Sequence, residues 1–449
     1  METQTEERRR FLMAFHRIGK NENPYDILDN SIASYIIENE RIIVIAGKPY
    51  IYKNGVYKKD EDGNILRYLI KSMILEELIT INRINRVFQL IITNHKLKVD
   101  VDGLNRHPEE WINFQNGFLD VYNMKMMEHS PDYMSINQIP HEFQLDRIIA
   151  DDSVVLEFLN GIVADKDDME MLLEYIGYCM TADTKLQKFL VITGSGGTGK
   201  STIMRLVNNT IGKENISGLS LQDLNERFNA TNLFGKLLNS CADISSKAME
   251  QVDVIKKITG EDLVKGEYKG GAVFFFKSYA KLMFSANEIP VSLDDKTNAY
   301  YRRFLIIRID KRCHEIQNLE ERLEEAVDDF IYLSVMALHR MYVNGSLNES
   351  QNSKDNVQEL YMMSDTVMAF ITDKMYPSAD SKVERGRFYE EYGRYCEENE
   401  RQPLTRNGFF KNLRNKGFVE VKSHNGRFFK GLAFQEDEFV EAQTELPFD

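Results

Sequence analysis

One stretch constrains this chain more than any other: Lys188 to Gly212, KFLVITGSGGTGKSTIMRLVNNTIG. The apolar run Phe189-Leu190-Val191-Ile192 predicts a buried strand. Behind it comes the loop Gly194-Ser195-Gly196-Gly197-Thr198-Gly199, then Lys200, Ser201 and Thr202. Ile203, Met204, Leu206, Val207 and Ile211 follow at helical spacing, up to a stop at Gly212. This is G-x-x-x-x-G-K-[ST] after a strand and opening a helix, the setting in which the pattern carries chemistry. Glycines let successive backbone N–H groups turn inward around a phosphate chain. The helix beginning near Lys200 aims its positive end at the same anion. Lys200 can reach the β- and γ-phosphates, and the Ser201 hydroxyl can hold Mg²⁺. The expected cofactors are therefore ATP and Mg²⁺, on residues Gly194 to Thr202.

At 449 residues the chain has room for two to four domains. Its four cysteines, Cys179, Cys241, Cys313 and Cys396, are scattered without C-x-x-C spacing. That argues against a zinc site and a disulfide framework and fits a reducing cytoplasm. No segment reaches the roughly 18 uninterrupted apolar residues of a membrane span, and METQTEERRRFLMAF does not read as a secretory signal. A net charge of −14 argues against a generally sticky nucleic-acid coat while leaving room for a local basic face.

Along the first 150 residues helix and strand mix. Asn54-Gly55 predicts a β-hairpin turn, and residues from Ile65 to Phe88 fall at helical spacing. Asp100-Val101-Asp102 reads as a solvated turn before Gly103 rather than a two-metal polymerase centre, which needs further acidic partners. WINFQNGFLDVY, Trp111 to Tyr122, predicts a strand, an Asn-Gly turn and a strand, with Trp111 in the core. Asp151 to Thr184 turns helical.

Past the glycine loop, Lys236 to Asp243 (KLLNSCAD) reads as a strand ending in an acid that would hold Mg²⁺ or orient water. KLMFSANEIP, Lys281 to Pro290, is a second strand, ending in Asn287, which could bond the attacking water or the γ-phosphate. Between them GEDLVKGEYKGGAVFFF suggests an extended hairpin with a basic tip at Lys269 and with Lys265 nearby. Arg302-Arg303 precedes another apolar strand. Such arginines serve either as charge stabilisers for a neighbouring subunit's phosphoryl transfer or as a surface ion pair.

This order of phosphate loop, single-acid strand, basic hairpin, strand-Asn and Arg-Arg resembles superfamily 3 helicases, ring-forming AAA+ motors of viruses, phages and mobile elements. The poxvirus and satellite-phage primase-helicase group is a nearer likeness. Its members carry stretches like Trp111 to Asp120, His129-Ser130-Pro131, Gln138-Ile139-Pro140 and Phe284 to Pro290. The resemblance runs from about residue 40 to 440 and is strongest from 188 to 308. It implies Walker A at Lys200 and Ser201, Walker B with metal at Asp243, a sensor at Asn287, an arginine finger at Arg302 or Arg303, and a DNA-tracking hairpin bearing Lys269. Many relatives have two adjacent acids at Walker B; here Ala242 precedes Asp243, so either Asp243 both positions metal and polarises water, or another acid such as Glu261 or Asp262 assists. No separate primase domain is expected ahead of residue 150.

Gly345 to Asn356, GSLNESQNSKDN, reads as a linker. Beyond it, helices at 365–375 and 383–396, a helix capped by Thr405, and a hairpin turning at Asn425-Gly426 suggest a winged helix. Arg406, Lys411, Arg414, Lys422 and Arg427 lie in a stretch with Glu420 as its one acid, which fits phosphate contacts.

The expectation is thus an α/β chain in three parts: an α+β domain at 1–150, a helical collar with an AAA+ P-loop core at 151–345, and a linker with winged helix at 346–449. The expected function is that of an ATP-dependent, hexameric DNA helicase replicating a phage or mobile element in a bacterial cytoplasm, without membrane contact. Two alternatives stand beside it: an ATP-regulated origin-binding or loader protein, and a primase-helicase using Asp100 and Asp102.

Overall fold

The structure, a computed structural model, describes residues 2–226, 228–242, 253–260, 262–267, 273–289, 298–311, 317–399, 401–424 and 426–435. The N-terminal part runs α1 (Glu2–Met13), β1 (His16–Ile18), β2 (Pro24–Ile27), α2 (Asp29–Asn39), β3 (Ile42–Ile45), β4 (Lys48–Lys53), β5 (Val56–Lys59), α3 (Asn64–Ser72), α4 (Ile81–Ile92), β6 (Trp111–Phe114), β7 (Gly117–Asp120) and β8 (Lys125–Met127). The middle runs α5 (Val154–Ile162), α6 (Lys166–Cys179), β9 (Phe189–Thr193), α7 (Lys200–Ile211), β10 (Ile216–Ser217), β11 (Leu238–Cys241), α8 (Asp253–Thr259), β12 (Leu263–Glu267), β13 (Val273–Lys277), β14 (Lys281–Ala286), α9 (Asn298–Tyr301), β15 (Phe304–Arg308), α10 (Leu319–Glu325) and α11 (Val327–Asn344). The last part runs α12 (Gln351–Ser364), α13 (Thr366–Lys374), β16 (Met375–Glu384), α14 (Arg385–Glu398), α15 (Arg406–Asn415), β17 (Glu420–Ser423) and β18 (Gly426–Phe434). Two compact units result, one built on residues up to 354 and the other on residues from 355, with 298–302 belonging to the second.

The first unit is organised on a five-stranded parallel sheet in the order β10-β11-β14-β9-β15. All residues of β9 and β14 are buried, as the apolar runs Phe189 to Ile192 and Leu282 to Phe284 require of strands covered on both faces. Ile203, Met204, Leu206, Val207 and Ile211 of α7 belong to the same core as Leu190, Ile192, Met283 and Ile307 of the sheet. Helices α6 and α11 approach closely: a Cβ on Gly177 would stand 2.3 Å from the Ser334 carbonyl oxygen. Ahead of the parallel sheet, α2 to α4 pack on the antiparallel sheet β3-β4-β5 around Ile32, Ile36, Leu66, Ile70, Val87 and Ile91. The fold is mixed α/β with a parallel sheet and an α+β N-terminal region.

Three expectations change. The helical spacing from 65 to 88 divides into α3 and α4, because Thr80 caps a new helix by accepting from Arg83 N at 3.3 Å. Trp111 is only partly buried and packs against Phe118 and Tyr133. The polar 345–356 stretch is no free linker. Its Ser350 bonds Asp168 (2.5 Å), Asn348 N donates to Glu174 (2.7 Å), and Ser353 Oγ accepts from Ile306 N (3.0 Å) as α12 begins.

In the second unit Phe370, Phe388, Phe409, Phe410, Phe429 and Phe434 form an aromatic core between α13, α14, α15 and the antiparallel sheet β16-β18-β17. Thr405 Oγ1 accepts from Gly408 N at 3.3 Å, the cap expected for α15. The hairpin gains a third strand, β16, whose alternation is broken by Pro377 and the register shift at Ser378/Lys382.

Candidate functional site

The glycine loop joins the C-terminal end of β9 to the N-terminus of α7, where β9 lies between β14 and β15 and strand order reverses. Such crevices at strand ends are where open α/β sheets bind ligands. Gly194 has φ +148, and a Cβ there would stand 2.0 Å from the Ile309 carbonyl oxygen, so the loop can leave the sheet only through glycine. A Cβ on Gly196 or Gly197 would meet nothing within 4 Å, so the outer loop faces open space. Ser195, Gly196 and Gly197 are exposed, as is Ser201, while Thr202 is half-buried. Thr198 Oγ1 donates to Ser195 O at 3.0 Å and braces the turn. Lys200 is buried; its Nζ donates to Gly194 O (2.6 Å) and Ser195 O (2.8 Å), folding the cation under its own loop. Exposed loop amides and a tethered ammonium at a helix N-terminus fit a phosphate chain.

The strands beside β9 bring their ends to the same edge. β14 pairs Ala286 with Thr193, which sets the exposed Asn287 next after the strand end beside Gly194. β11 pairs Cys241 with Phe284; Asp243, two residues on, lies outside the described residues, as do Lys269 and Glu261. Asn239 of β11 is wholly buried and clamps the preceding loop, accepting from Leu219 N (2.9 Å) and donating to Leu219 O (2.8 Å). The Thr193 and Ser240 hydroxyls are buried without hydrogen-bond partners at this edge.

The two arginines differ sharply. Arg303 is 7% exposed and its Nε donates to Thr259 Oγ1 at 2.9 Å. Arg302 is exposed. The spacing could not separate them, since both precede the same strand.

On the hairpin, β12 and β13 pair Leu263 with Lys277 and Lys265 with Phe275. Val264 and Phe276 point inward, leaving Leu263, Lys265, Val273, Phe275 and Lys277 exposed on one face. Phe275 went unrecognised in the sequence, although the alternation in VFFFK already placed one phenylalanine outward. In the second unit Arg406, Lys411, Lys422 and Arg427 are exposed, and Arg414 Nη1 lies 2.6 Å from Glu420. Asp100 and Asp102 are exposed beside a 3₁₀ turn, and among the described residues no group of three His, Cys, Asp or Glu could hold a metal.

The stretches that begin at Trp111, His129 and Gln138 are joined by hydrogen bonds centred on the buried Asn113. His129 Nε2 lies 2.9 Å from Phe114 O and 3.0 Å from Asn113 Oδ1; both accept, so Nε2 carries the proton. Asn113 Nδ2 donates to Gly55 O (3.1 Å) and Gln138 Nε2 to Asn54 O (2.7 Å), holding the β4–β5 turn. Asn137 continues these bonds to Asn215, Gly235 and Tyr279 around the parallel sheet. Among the described residues no helix is long and apolar enough to cross a membrane.

Comparisons with known proteins give two family segments and a shared fold. Residues 32–168 match the family described as D5 N terminal like, and residues 192–303 match a family of unknown function, DUF5906. A putative helicase, L207/L206, of Acanthamoeba polyphaga mimivirus is 24% identical over 211 residues, 44% of this chain and 22% of that protein. The chain thus spans about a fifth of that relative's length. The uncharacterized mitochondrial protein ymf21 of Marchantia polymorpha is 27% identical over 144 residues, 30% of this chain and 78% of that protein. The apo A form of the NrS-1 C-terminal region (305–718) shares the fold, with a TM-score of 0.51 at 12% identity over 89% of this chain and 98% of that one. The chain thus carries a D5 N terminal like segment followed by a DUF5906 segment, is similar in part to a viral protein named as a putative helicase, and shares the fold of the NrS-1 C-terminal region.

Proposed function

We propose that this chain is an ATP-dependent DNA helicase of superfamily 3 that assembles as a ring, a hexamer by family likeness, in replication of a phage or mobile element. The reading takes the parallel sheet as an AAA+ P-loop core and the second unit as a winged helix. The observation that carries it is the strand–loop–helix at Gly194 to Ser201, with Lys200 held beneath its loop and Asn287 at the neighbouring strand end.

In this reading the Gly194–Gly199 amides and Lys200 hold the phosphates of ATP, and Ser201 with Asp243 holds Mg²⁺, which supplies charge neutralisation for phosphoryl transfer. Asn287 orients the attacking water. Arg302, exposed where Arg303 is buried, is the residue free to act across a subunit junction. Lys265 and Lys269 on the hairpin contact one strand, and Arg406, Lys411, Arg414, Lys422 and Arg427 contact duplex backbone.

Asp100 and Asp102, the residues of the primase alternative, stand exposed, and among the described residues no group of three His, Cys, Asp or Glu is gathered to hold a metal. The decisive test is strand separation on forks with either tail polarity by the wild type and Lys200→Ala. Unwinding that requires ATP and vanishes in the variant supports the motor. ATP hydrolysis with no unwinding on any fork favours the loader reading instead.

A further inference from the structure

Three arginines from three elements of the second unit converge on a single carboxylate. Arg414, on α15, places Nη1 2.6 Å from Glu420 Oε2. Arg385, opening α14, places Nη1 3.6 Å from Glu420 Oε1, and Arg427, on β18, places Nη1 3.8 Å from the same oxygen. The Glu420 side chain is 14% exposed, whereas Arg414 and Arg427 are 47% and 56% exposed. So the anion lies below and the two guanidiniums reach outward over it. Arg385 is fixed from the other side by stacking on the Phe410 ring, 4.0 Å from its centroid.

The satisfaction of these groups is uneven. Glu420 Oε1 is buried with no hydrogen-bond partner, its two arginines standing at ion-pair range only. Arg385 Nε is likewise buried without one. One carboxylate with two oxygens cannot use the donors of three guanidinium forks, each of which carries five N–H groups. Planar forks left with spare outward donors match a phosphate oxyanion better than any neutral ligand. Nearby Lys411 and Lys422 are exposed and add positive field, Lys422 on the same sheet face as Arg427, with which it pairs.

We propose that Glu420 is an internal counter-anion: it holds Arg385, Arg414 and Arg427 in place for a nucleic-acid backbone phosphate and, by neutralising part of their charge, weakens the second unit's grip on duplex DNA. This rests on the reading of that unit as a duplex-binding module. Its consequence is an affinity set low enough for release, which a protein that must move along DNA requires.

The test measures the full chain binding a fluorescein-labelled duplex across a salt series. Glu420→Gln keeps the side-chain shape and removes the charge. It is expected to tighten binding at least threefold at moderate salt. It should also steepen the slope of log affinity against log salt by about 0.9, the increment for one more phosphate contact. Arg427→Gln should weaken binding more in the Glu420→Gln background than in the wild type, because its guanidinium is then released from the carboxylate. That coupling is read between two variants with matched melting curves, so a folding loss in either cannot imitate it. Unchanged or weaker binding by Glu420→Gln, or additive behaviour of the pair, overturns the counter-anion. The combined Lys411→Gln and Lys422→Gln change tests the underlying reading separately: if it leaves duplex binding unaltered, the surface itself is misassigned and both statements fall.

Discussion

Lys200 Nζ lies 2.6 Å from the carbonyl oxygen of Gly194, the first residue of the loop that Lys200 itself closes. A second bond to Ser195 O at 2.8 Å makes the ammonium the pin of the loop. On the proposed reading a phosphate would offer the same cation a formal negative charge in place of two carbonyl dipoles, and its binding would draw Lys200 outward. Lys200→Ala should therefore stay folded and lose ligand-induced stabilisation. At a hundredfold excess over Kd, Mg-ATP should add about 2.7 kcal/mol to the wild type. Thermal melting with and without Mg-ATP reads this directly; an equal rise in the variant would remove Lys200 from the site.

The loop's glycines are not equivalent. Gly194 has φ +148 and backbone 2.0 Å from where its Cβ would stand, while Gly196 has open space. Gly194→Ala should cost about 2–3 kcal/mol through overpacking and backbone strain. Gly196→Ala should leave the melting temperature within a degree or two of the wild type. Urea unfolding of both variants separates them, and equal losses would contradict the geometry.

Much of this arrangement could be read in advance because it rests on local chemistry. The β9 run, the glycine loop and the α7 spacing each contain their own cause, as do the Thr405 cap and the α15 face. What stayed hidden depends on distant partners. Nothing near Arg303 in the chain announces that Thr259 takes its guanidinium, and nothing in the Ser/Asn-rich 345–356 stretch announces Asp168, Glu174 and Ile306 as its anchors. Polar residues read as solvated when their partners lie far along the chain, here 44 to 182 positions away.

Arg302 and Arg303 should part company in experiment. Arg303→Ala removes a buried donor from Thr259 and should lower stability by about 1–3 kcal/mol. Arg302→Ala, at an exposed position, should melt like the wild type yet lose ATP hydrolysis by tenfold or more if it serves a neighbouring subunit. Mixing Arg302→Ala with Lys200→Ala subunits would then restore part of the activity. Full hydrolysis by Arg302→Ala alone would end its candidacy.

Phe275 stands 56% exposed, opposite Lys265 on the paired strand. An aromatic face beside a cation suits an unpaired base and its phosphate, with stacking worth about 1–3 kcal/mol per base. Phe275→Ala should weaken single-strand binding roughly tenfold and change duplex binding little. Anisotropy with labelled oligonucleotides measures both, while light scattering at the same concentrations shows whether the variant instead loses assembly. Loss of assembly with single-strand affinity intact would assign the face to a subunit contact.

Glu174 supplies a pH dependence whose sign can be worked out. It is 2% exposed, and burial pushes its pKa from 4.5 to about 7, opposed by the hydrogen bond from Asn348 N. Between these values the folded chain holds a proton that the unfolded chain has released, so stability falls as pH rises from 4.5 through 7. The stabilisation of the protonated form is fully present below 4.5 and gone above 7. Glu174→Gln stays neutral and can still accept from Asn348 N. It should match the wild type near pH 4.5 and exceed it at pH 8.5, by at most about 3 kcal/mol for a shift of this size. Urea unfolding at the two pH values checks this. A constant difference between the proteins at both pH values would mean that Glu174 does not titrate between them, and the anchoring of the 345–354 segment would then rest on Asp168 and Ser353.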